Sequence, residues 1–323
     1  MGAHQTAFTL KFSAGSGLAA KDHNLTKVRY MDTRDVDVVR RFSRLVTQRV
    51  GALDERYLRR DRPLGQARVL WEIGLGACEV GVLRARLGID SAQLSRTLRA
   101  LERDGLGGVT ASGRDSRVRI ASLTASGVGE WHEIEAASQA FARSILEPLG
   151  LSQRARLVGA MAEVERLLTV SMVEVVERAP SDPLARICLR AYEAEIEQRF
   201  GGHFDAGDGD ERMVPPQGWF LVAALQGEPV GCGGLKIHRH GPPEIKRLWT
   251  SPTLRGVGLG RRILAMLEQR AVDVGANSVR LDTNRSLSEA VALYRSSGYR
   301  EIPAYNDNPY AHHWFEKDLH AEH

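Results

Sequence analysis

The sequence is poor in cysteine and has no long apolar run. Its 323 residues include only Cys78, Cys188 and Cys232, too few and too widely spaced for a disulfide framework or a cysteine-based zinc site. Such sparse cysteine suits a reducing compartment. No segment approaches the roughly 20 apolar residues of a transmembrane helix, and the N-terminus lacks a signal-peptide core. We therefore expect a cytoplasmic protein that does not enter a membrane.

Lysine is also scarce, because none occurs between Lys27 and Lys236 and nearly every cation is arginine. The net charge of +4 mildly favours an acidic partner, but an arginine bias can also follow from codon usage. Binding to nucleic acid therefore has to be argued from where the arginines lie. The chain is long enough for two domains, and its 43% hydrophobic and 26% charged residues are typical of globular proteins.

The chain divides into two halves of different pattern. Residues 1–30 are rich in Gly, Ala and Ser without a sustained period, so we expect a disordered extension. In the first half, apolar periodicity predicts one long helix from Asp35 that ends before Pro63, then helices at about 65–76, 78–87, 91–104, 124–147 and 152–177. The segment RAPSDPLA, residues 178–185, is typical of a linker. The second half predicts helices at about 183–200, 258–274 and 286–297, with strands near 219–225, 229–237, 244–250, 278–282, 299–303 and 311–317.

The segment GIDSAQLSRTLRALERDGL predicts a helix-turn-helix. Gly88 ends one helix, Asp90 or Ser91 caps the next, and Gly105 ends it. The inward stripe of the second helix consists of Leu94, Leu98 and Leu101. Its outward residues, predicted to contact DNA, are Ser91, Gln93, Arg96, Thr97 and Arg99. Gln can pair with adenine, and Arg with guanine or phosphate. A helical bundle with a solvated arginine face is the alternative.

The segment GLGGVTASGRDSRVRIASLT predicts two short strands around a turn. Arg114 and Arg117 at its tip suit contact with phosphate or with the minor groove, and Asp115 would hold Arg117 in place.

The order of these elements resembles the MarR family of winged-helix regulators across about residues 34–170. The segments that match are IDSAQLSRTLRALERDGL, GRDSRVRIASLTASG and LEPLGLSQRARLVGAMAEVERLL. The resemblance implies a homodimer formed by the first and the last two helices, with two recognition helices on near-palindromic double-stranded DNA. The strand GGVT departs from the family, because it lacks the basic residues often found before the wing.

In the second half, RGVGLGRR lies between a predicted strand and a predicted helix. It lacks the Gly-Lys-Ser/Thr of a P-loop, and its position does not fit a dinucleotide fold. Bare backbone amides at a helix N-terminus nevertheless favour an anion. A plain glycine-rich turn is the alternative.

Together with EIKRLWTSPTLRGVGLGRRIL and SVRLDTNRSLSEAVALYRSSGYREIP, this loop resembles the GNAT family of N-acetyltransferases over about residues 172–318. The resemblance implies a mixed α/β fold and acetyl-CoA as the donor, with its pyrophosphate on the loop. The implied cofactor residues are Leu248, Trp249, Thr250, Arg255, Gly256, Val257, Gly258, Leu259, Gly260, Arg261 and Asn284. A backbone N–H of the 244–250 strand is the candidate that stabilises the oxyanion.

Two side chains are candidates for proton transfer. Glu244 lies on the same predicted strand as Leu248 and suits a base, although it could simply pair with Lys246 at the surface. Tyr294 matches the family's tyrosine that protonates the leaving thiolate, although it could also be a core residue. No metal site is predicted, since the adjacent His312 and His313 would point to opposite faces of a strand.

Candidate residues for gripping the acceptor amine are Arg199, Tyr305, Asn306 and His312. We predict a mainly α winged helix-turn-helix domain (31–177), the linker 178–185 and an acetyltransferase domain (186–323). The predicted function combines a DNA-binding transcription regulator with an N-acetyltransferase. The expected acceptor is an amine of a small molecule. The alternatives are a regulator whose second domain only senses acyl-CoA or an amine, and a protein lysine acetyltransferase.

Overall fold

The computed structural model describes residues 32–50, 62–113, 115–204 and 210–320. The predicted disordered extension, the end of the first predicted helix and Arg114 lie outside these residues. The chain forms two compact units, Met1–Asp61 and Arg62–His323. In the first unit the structure describes α1 (Thr33–Val50), which has an amphipathic sequence.

The second unit begins with four helices and a small sheet. The helices are α2 (Leu64–Gly74), α3 (Val80–Leu87), α4 (Ser91–Arg103) and α5 (Ala125–Leu146). The strands are β1 (Cys78–Glu79), β2 (Gly107–Ala111) and β3 (Arg119–Leu123), in the antiparallel order β1-β3-β2. The leucines predicted to face inward, Leu94, Leu98 and Leu101, are buried. The helix predicted from residue 78 instead starts at Val80, because Cys78 and Glu79 pair with β3.

The long helix α6 (Leu151–Ser171) ends six residues earlier than predicted. Residues 174–177 belong instead to β4 (Glu174–Glu177), which pairs with the next strand as the edge of a seven-stranded sheet. The predicted helix over 152–177 is therefore wrong at its C-terminal end, because backbone pairing with the sheet overrides the local pattern. The domain boundaries predicted at 177 and 186 stay predictions.

The seven-stranded sheet has the order β4-β5-β6-β7-β8-β10-β9. Its later strands are β5 (Gly218–Leu225), β6 (Glu228–Lys236), β7 (Glu244–Thr250), β8 (Ser278–Thr283), β9 (Arg300–Ile302) and β10 (His313–Asp318). All neighbouring strands are antiparallel except β7 and β8, which are parallel. These two strands pair at one position only, where Glu244 lies opposite Arg280. Beyond that point the two strands diverge, and this opening positions the candidate site.

Three helices flank the sheet: α7 (Pro183–Phe200), α8 (Leu259–Asp273) and α9 (Ser288–Ser296). Strand β5 alternates between two cores, as the period of a strand requires. Leu221 and Ala223 lie in the core that contains α8 and α9, whereas Phe220 and Val222 lie in the core that contains α7. The helices therefore cover both faces. No helix among the described residues is long and apolar enough to cross a membrane.

Candidate active site

The loop between β7 and α8 presents its backbone to the cavity beside it. Gly256 and Gly258 have φ of 75° and 89°, the left-handed region that favours glycine. Gly258 is the N-cap of α8, and a Cβ placed there would meet nothing within 4 Å. The first turn of a helix leaves its N–H groups without intrahelical acceptors. The loop therefore offers a cluster of free backbone donors at the positive end of a helix dipole, which suits an anion.

The loop's arginines are held by neighbouring side chains. The Arg255 guanidinium pairs with Glu195 of α7 and donates to the Thr250 carbonyl. Arg261 donates to the Ser296 carbonyl at 3.0 Å and to its hydroxyl at 2.8 Å. These bonds fix the ends of the loop and leave its backbone amides to face the cavity.

A cavity of about 710 Å³ lies beside the C-terminal end of β7 and the loop that follows it. It is lined by α7, α9, the end of β7 and the loop, including every predicted cofactor residue except Val257 and Asn284. Val257 packs against the core, so only its backbone is available to a ligand. The volume is in the range of small-molecule and cofactor sites, about 300–1,000 Å³. The space and the donors therefore fit an elongated ligand with an anionic group.

Strand β7 contains a bulge next to this cavity. Cys232 registers with Trp249 and Gly234 with Lys246, so two residues of β7 lie opposite Gly233. Arg247, one of the two, has φ of 56°. Its carbonyl accepts from the Cys232 thiol at 3.3 Å. Because the C=O and N–H of one trans peptide point in opposite directions, the next N–H, that of Leu248, points away from Cys232. It is the candidate oxyanion donor.

A second cavity of about 80 Å³ is lined by several of the same residues, including Tyr192 and Leu248. Tyr294 on α9 is buried and lines this second cavity. Its hydroxyl makes no hydrogen bond to any residue that the structure describes. Burial raises the pKa of Tyr294, and the nearby Tyr192 and Asp282 raise it further. The hydroxyl therefore keeps its proton near neutral pH, and the residue lines the cavity that adjoins the larger one.

Glu244 is placed differently from the sequence expectation. It is only 5% exposed and lines neither cavity. Its carboxylate accepts from Tyr305 at 2.7 Å and pairs with Lys246 at 2.9 Å. Asn306 and His238 also contact it, each at 3.3 Å. Glu244 therefore reaches the second cavity only through partners such as Lys246, which lines it.

Asp282, at the end of β8, is the acidic residue that lines the second cavity, and the sequence reasoning missed it. Its carboxylate accepts from Lys246 at 2.8 Å, Asn306 at 2.7 Å and Asn308 at 2.9 Å. Burial lowers the pKa of Lys246, but Glu244 and Asp282 outweigh burial and raise it. The signal that could have found Asp282 is an acid near the carboxyl end of one of the two parallel strands.

Of the four predicted acceptor residues, Tyr305 and Asn306 meet at the Glu244 carboxylate, and the other two lie elsewhere. Arg199 lines the larger cavity and bridges Glu195 and Glu289 at 2.9 Å each. Tyr305 and Asn306 bond to the buried carboxylates already described, and His312 is exposed. Asn284 lines the second cavity, but its side chain donates to the Tyr310 carbonyl at 2.7 Å and accepts from the Ser286 N–H at 2.9 Å.

In the first half of the chain, α3 and α4 form the predicted helix-turn-helix pattern. Gly88 ends α3 with φ of 62°, and Asp90 caps α4 by accepting from the Gln93 N–H at 2.7 Å. The outward side chains of Ser91, Gln93, Arg96 and Arg99 on α4 are exposed, and Thr97 is half-buried. Asp115 holds Arg117 with two hydrogen bonds to its guanidinium, each 3.1 Å long.

The described residues contain no group of three or more His, Cys, Asp or Glu side chains that could hold a metal ion. Cys188 and Cys232 are free and fully buried, whereas Cys78 is half-buried.

The family model described as the acetyltransferase (GNAT) family matches residues 186–299. The chain is 36% identical over 92 residues to an IAA acetyltransferase of Azospirillum brasilense, and the aligned stretch covers 28% of this chain and 60% of that protein. It is 37% identical over 126 residues to an N-acetyltransferase of Schizosaccharomyces pombe, which covers 36% of this chain and 76% of that protein. The chain thus spans less than two thirds of the first relative and more than two thirds of the second.

Among the solved structures that are similar to parts of the chain is a Klebsiella pneumoniae protein assigned as an acyl-CoA N-acyltransferase. The two chains are 30% identical, the match covers 46% of this chain and 98% of that chain, and the TM-score is 0.39. Another is Streptococcus pneumoniae FabT in complex with DNA. The two chains are 18% identical, the match covers 42% of this chain and 94% of that chain, and the TM-score is 0.35. Both scores are too low for either likeness to support a conclusion about this chain.

Proposed function

Because the chain belongs to the GNAT family of acetyltransferases, we propose that it transfers the acetyl group of acetyl-CoA to a small amine and that its first half binds DNA. The observation that carries the enzymatic part is one continuous arrangement. The loop 255–261 and the end of β7 line the cavity of about 710 Å³, and Tyr294 lines the adjoining cavity, which shares Tyr192 and Leu248 with it.

The donor site is argued from the loop outward. The amides of residues 256–261 would hold the pyrophosphate, since a helix N-terminus stabilises phosphate charge. Leu248, Trp249 and Thr250 line the cavity next to the loop, and their strand edge would hold the pantetheine arm. When bound, acetyl-CoA would supply the acetyl group as a reactive thioester.

Two groups of this chain suit the transfer. The Leu248 N–H, turned away from Cys232 by the bulge, would stabilise negative charge on the acetyl oxygen. Tyr294 holds its proton at a hydroxyl that faces the cavity, which is what protonation of a leaving thiolate requires. The base for the amine remains Glu244 in this proposal, acting through water, with Asp282 as the second acidic member of the network around Lys246.

The size of the second cavity favours a small acceptor. About 80 Å³ accommodates only a compact group, since a cavity of about 150 Å³ holds a benzene-sized molecule. The rings of Phe200, Phe204 and Tyr310 form one wall and contact each other. A compact amine fits this space better than a lysine presented by a folded protein.

The test is release of free CoA from acetyl-CoA by the purified full chain, screened against amino acids, polyamines and a lysine-containing peptide. We expect turnover with at least one small amine. Turnover only with the peptide would favour a protein acetyltransferase. CoA binding without turnover on any acceptor would favour an acyl-CoA sensor and contradict the enzymatic proposal.

The DNA-binding part is supported by the exposed face of α4 and by the ordered Arg117 at the tip of the β2–β3 hairpin. A homodimer is supported by α6, which exposes Leu151, Met161 and Leu168, an apolar surface that a second copy could cover. Selection of bound duplexes from genomic fragments, followed by fluorescence anisotropy on the enriched sequence, tests this part. We expect enrichment of a near-palindrome, and no enrichment would contradict it.

A further inference from the structure

The loop 255–261, called the coenzyme loop below, is in contact with α6, a helix from the first half of the sequence. Arg166, on α6, donates from Nη2 to the Arg255 carbonyl at 2.8 Å. The same nitrogen lies 3.3 Å from where a Cβ on Gly256 would stand. The first two residues of the loop are therefore held by a side chain that lies outside the residues matched by the family model, 186–299.

A second contact joins the first turn of α8, which follows the loop, to the residues that follow α6. Arg262, in the first turn of α8, donates from Nη1 to the Val173 carbonyl at 2.8 Å. Val173 is 2% exposed and packs in the core that includes Leu259 and Ile263 of α8. Only Met172 and Val173 separate α6 from β4. One hydrogen bond thus joins α6 to the loop, and a second joins α8 to the short segment between α6 and β4.

These contacts have a consequence for any ligand on the loop. A ligand that orders the loop stabilises what is hydrogen-bonded to it, since local opening of a helix end needs those bonds to break. Arg166 also pairs with Glu163 on its own helix at 3.2 Å. Two side chains of α6 therefore take part in the connection to the loop. Stabilisation that passes from loop to helix must by linkage pass in the reverse direction too.

We propose that Arg166 is a positioning residue for the coenzyme loop and that it couples coenzyme A on the loop to the C-terminal half of α6. The proposal rests on the proposed function only in naming coenzyme A as the ligand.

Hydrogen–deuterium exchange of the full chain, with and without saturating CoA, tests the coupling. We expect slower exchange in two segments, the loop at 255–262 and the helix end at 162–173, each by about threefold or more, as expected for the loss of local opening. In Arg166→Ala the loop should still be protected by CoA, and the helix end should not. Arg156→Ala is the matched control, because Arg156 is an exposed arginine on the same helix and should behave as the wild type.

Calorimetric titration with CoA gives a second readout. Losing one hydrogen bond that holds the loop in place should weaken binding by about three- to tenfold in Arg166→Ala and Arg166→Gln, with no change in Arg156→Ala. The melting temperature of each variant checks that it folds. Protection of the loop with an unprotected helix end in the wild type would overturn the coupling and leave the proposed function standing. No CoA binding at all would instead overturn the proposed function.

Discussion

Replacing Tyr294 by Phe should separate catalysis from stability. The substitution removes one hydroxyl that faces the second cavity and makes no hydrogen bond to a described residue. The ring keeps its contacts with Tyr299 and Phe315. We therefore expect the free energy of unfolding to change by less than about 0.5 kcal/mol, as for substitutions that break no specific contact. The value of kcat should fall by about 10²- to 10⁴-fold, the usual contribution of a positioned acid or base.

The assay is CoA release at saturating amine, with CoA affinity measured separately by calorimetry. Tyr299→Phe is the matched control, since Tyr299 is equally buried and packs on Tyr294 but lines neither cavity. We expect a large loss of kcat in Tyr294→Phe, little loss in Tyr299→Phe, and unchanged CoA affinity in both. Equal activity of both variants, with both folded, would refute the role of Tyr294 as the acid.

The pH dependence follows from the same side chain. The pKa of Tyr294 is raised from its ordinary value, first by burial, so the hydroxyl should stay protonated up to at least about pH 10. The buried neutral phenol contributes stability that is present below the unfolded pKa and is lost as the pH rises through the folded one. A descending limb of kcat/KM below about pH 9 would therefore have to come from another group.

Three other changes have defined outcomes. Glu244→Gln leaves Lys246 with one buried carboxylate partner instead of two, so the free energy of unfolding should fall by about 1–3 kcal/mol and kcat should drop; unchanged stability by denaturant titration would contradict the network. Arg96→Ala combined with Arg117→Ala should weaken DNA binding and reduce the slope of log K against log salt by about two, and an unchanged slope would count against phosphate contacts. Glu289→Gln removes one negative charge from the larger cavity, so CoA should bind more tightly, most clearly at low salt. The hydrogen bond from Arg199 holds the pKa of the Glu289 carboxyl at about 2. The gain in CoA affinity should therefore persist down to mildly acidic pH.

The order of helices and strands could be predicted because burial and period agree in most of the chain. Leu94 and Leu101 repeat at helical spacing and are both buried. The glycines of the 255–261 loop marked the change from strand to helix in the same way. One exception is β4, where Val175 and Val176 fit either a helix or a strand; another is β1, whose two residues were predicted as the start of a helix. Pairing with β5 decides that case, and no local pattern records it.

The site was predictable in its backbone parts and less so in its side chains. Loop and strand residues line the larger cavity as expected, because their role depends on local geometry alone. Asp282, Glu195 and Arg166 were not found, because each is defined by a partner far away in sequence: Lys246, Arg255 and the Arg255 carbonyl. Glu244 was placed on the correct strand, but its burial depends on the loop that carries Tyr305.

The most direct test of the central claim compares calorimetric titrations of the full chain with CoA and with pantetheine, which lacks the pyrophosphate and the nucleotide. If the amides of residues 256–261 hold the pyrophosphate, CoA should bind at least about a hundredfold more tightly, because hydrogen bonds to charged groups contribute about 1.5–3 kcal/mol each. The difference should shrink as the salt concentration rises. Equal affinity for the two ligands, or no binding of either, would contradict the assignment of this loop as the coenzyme site.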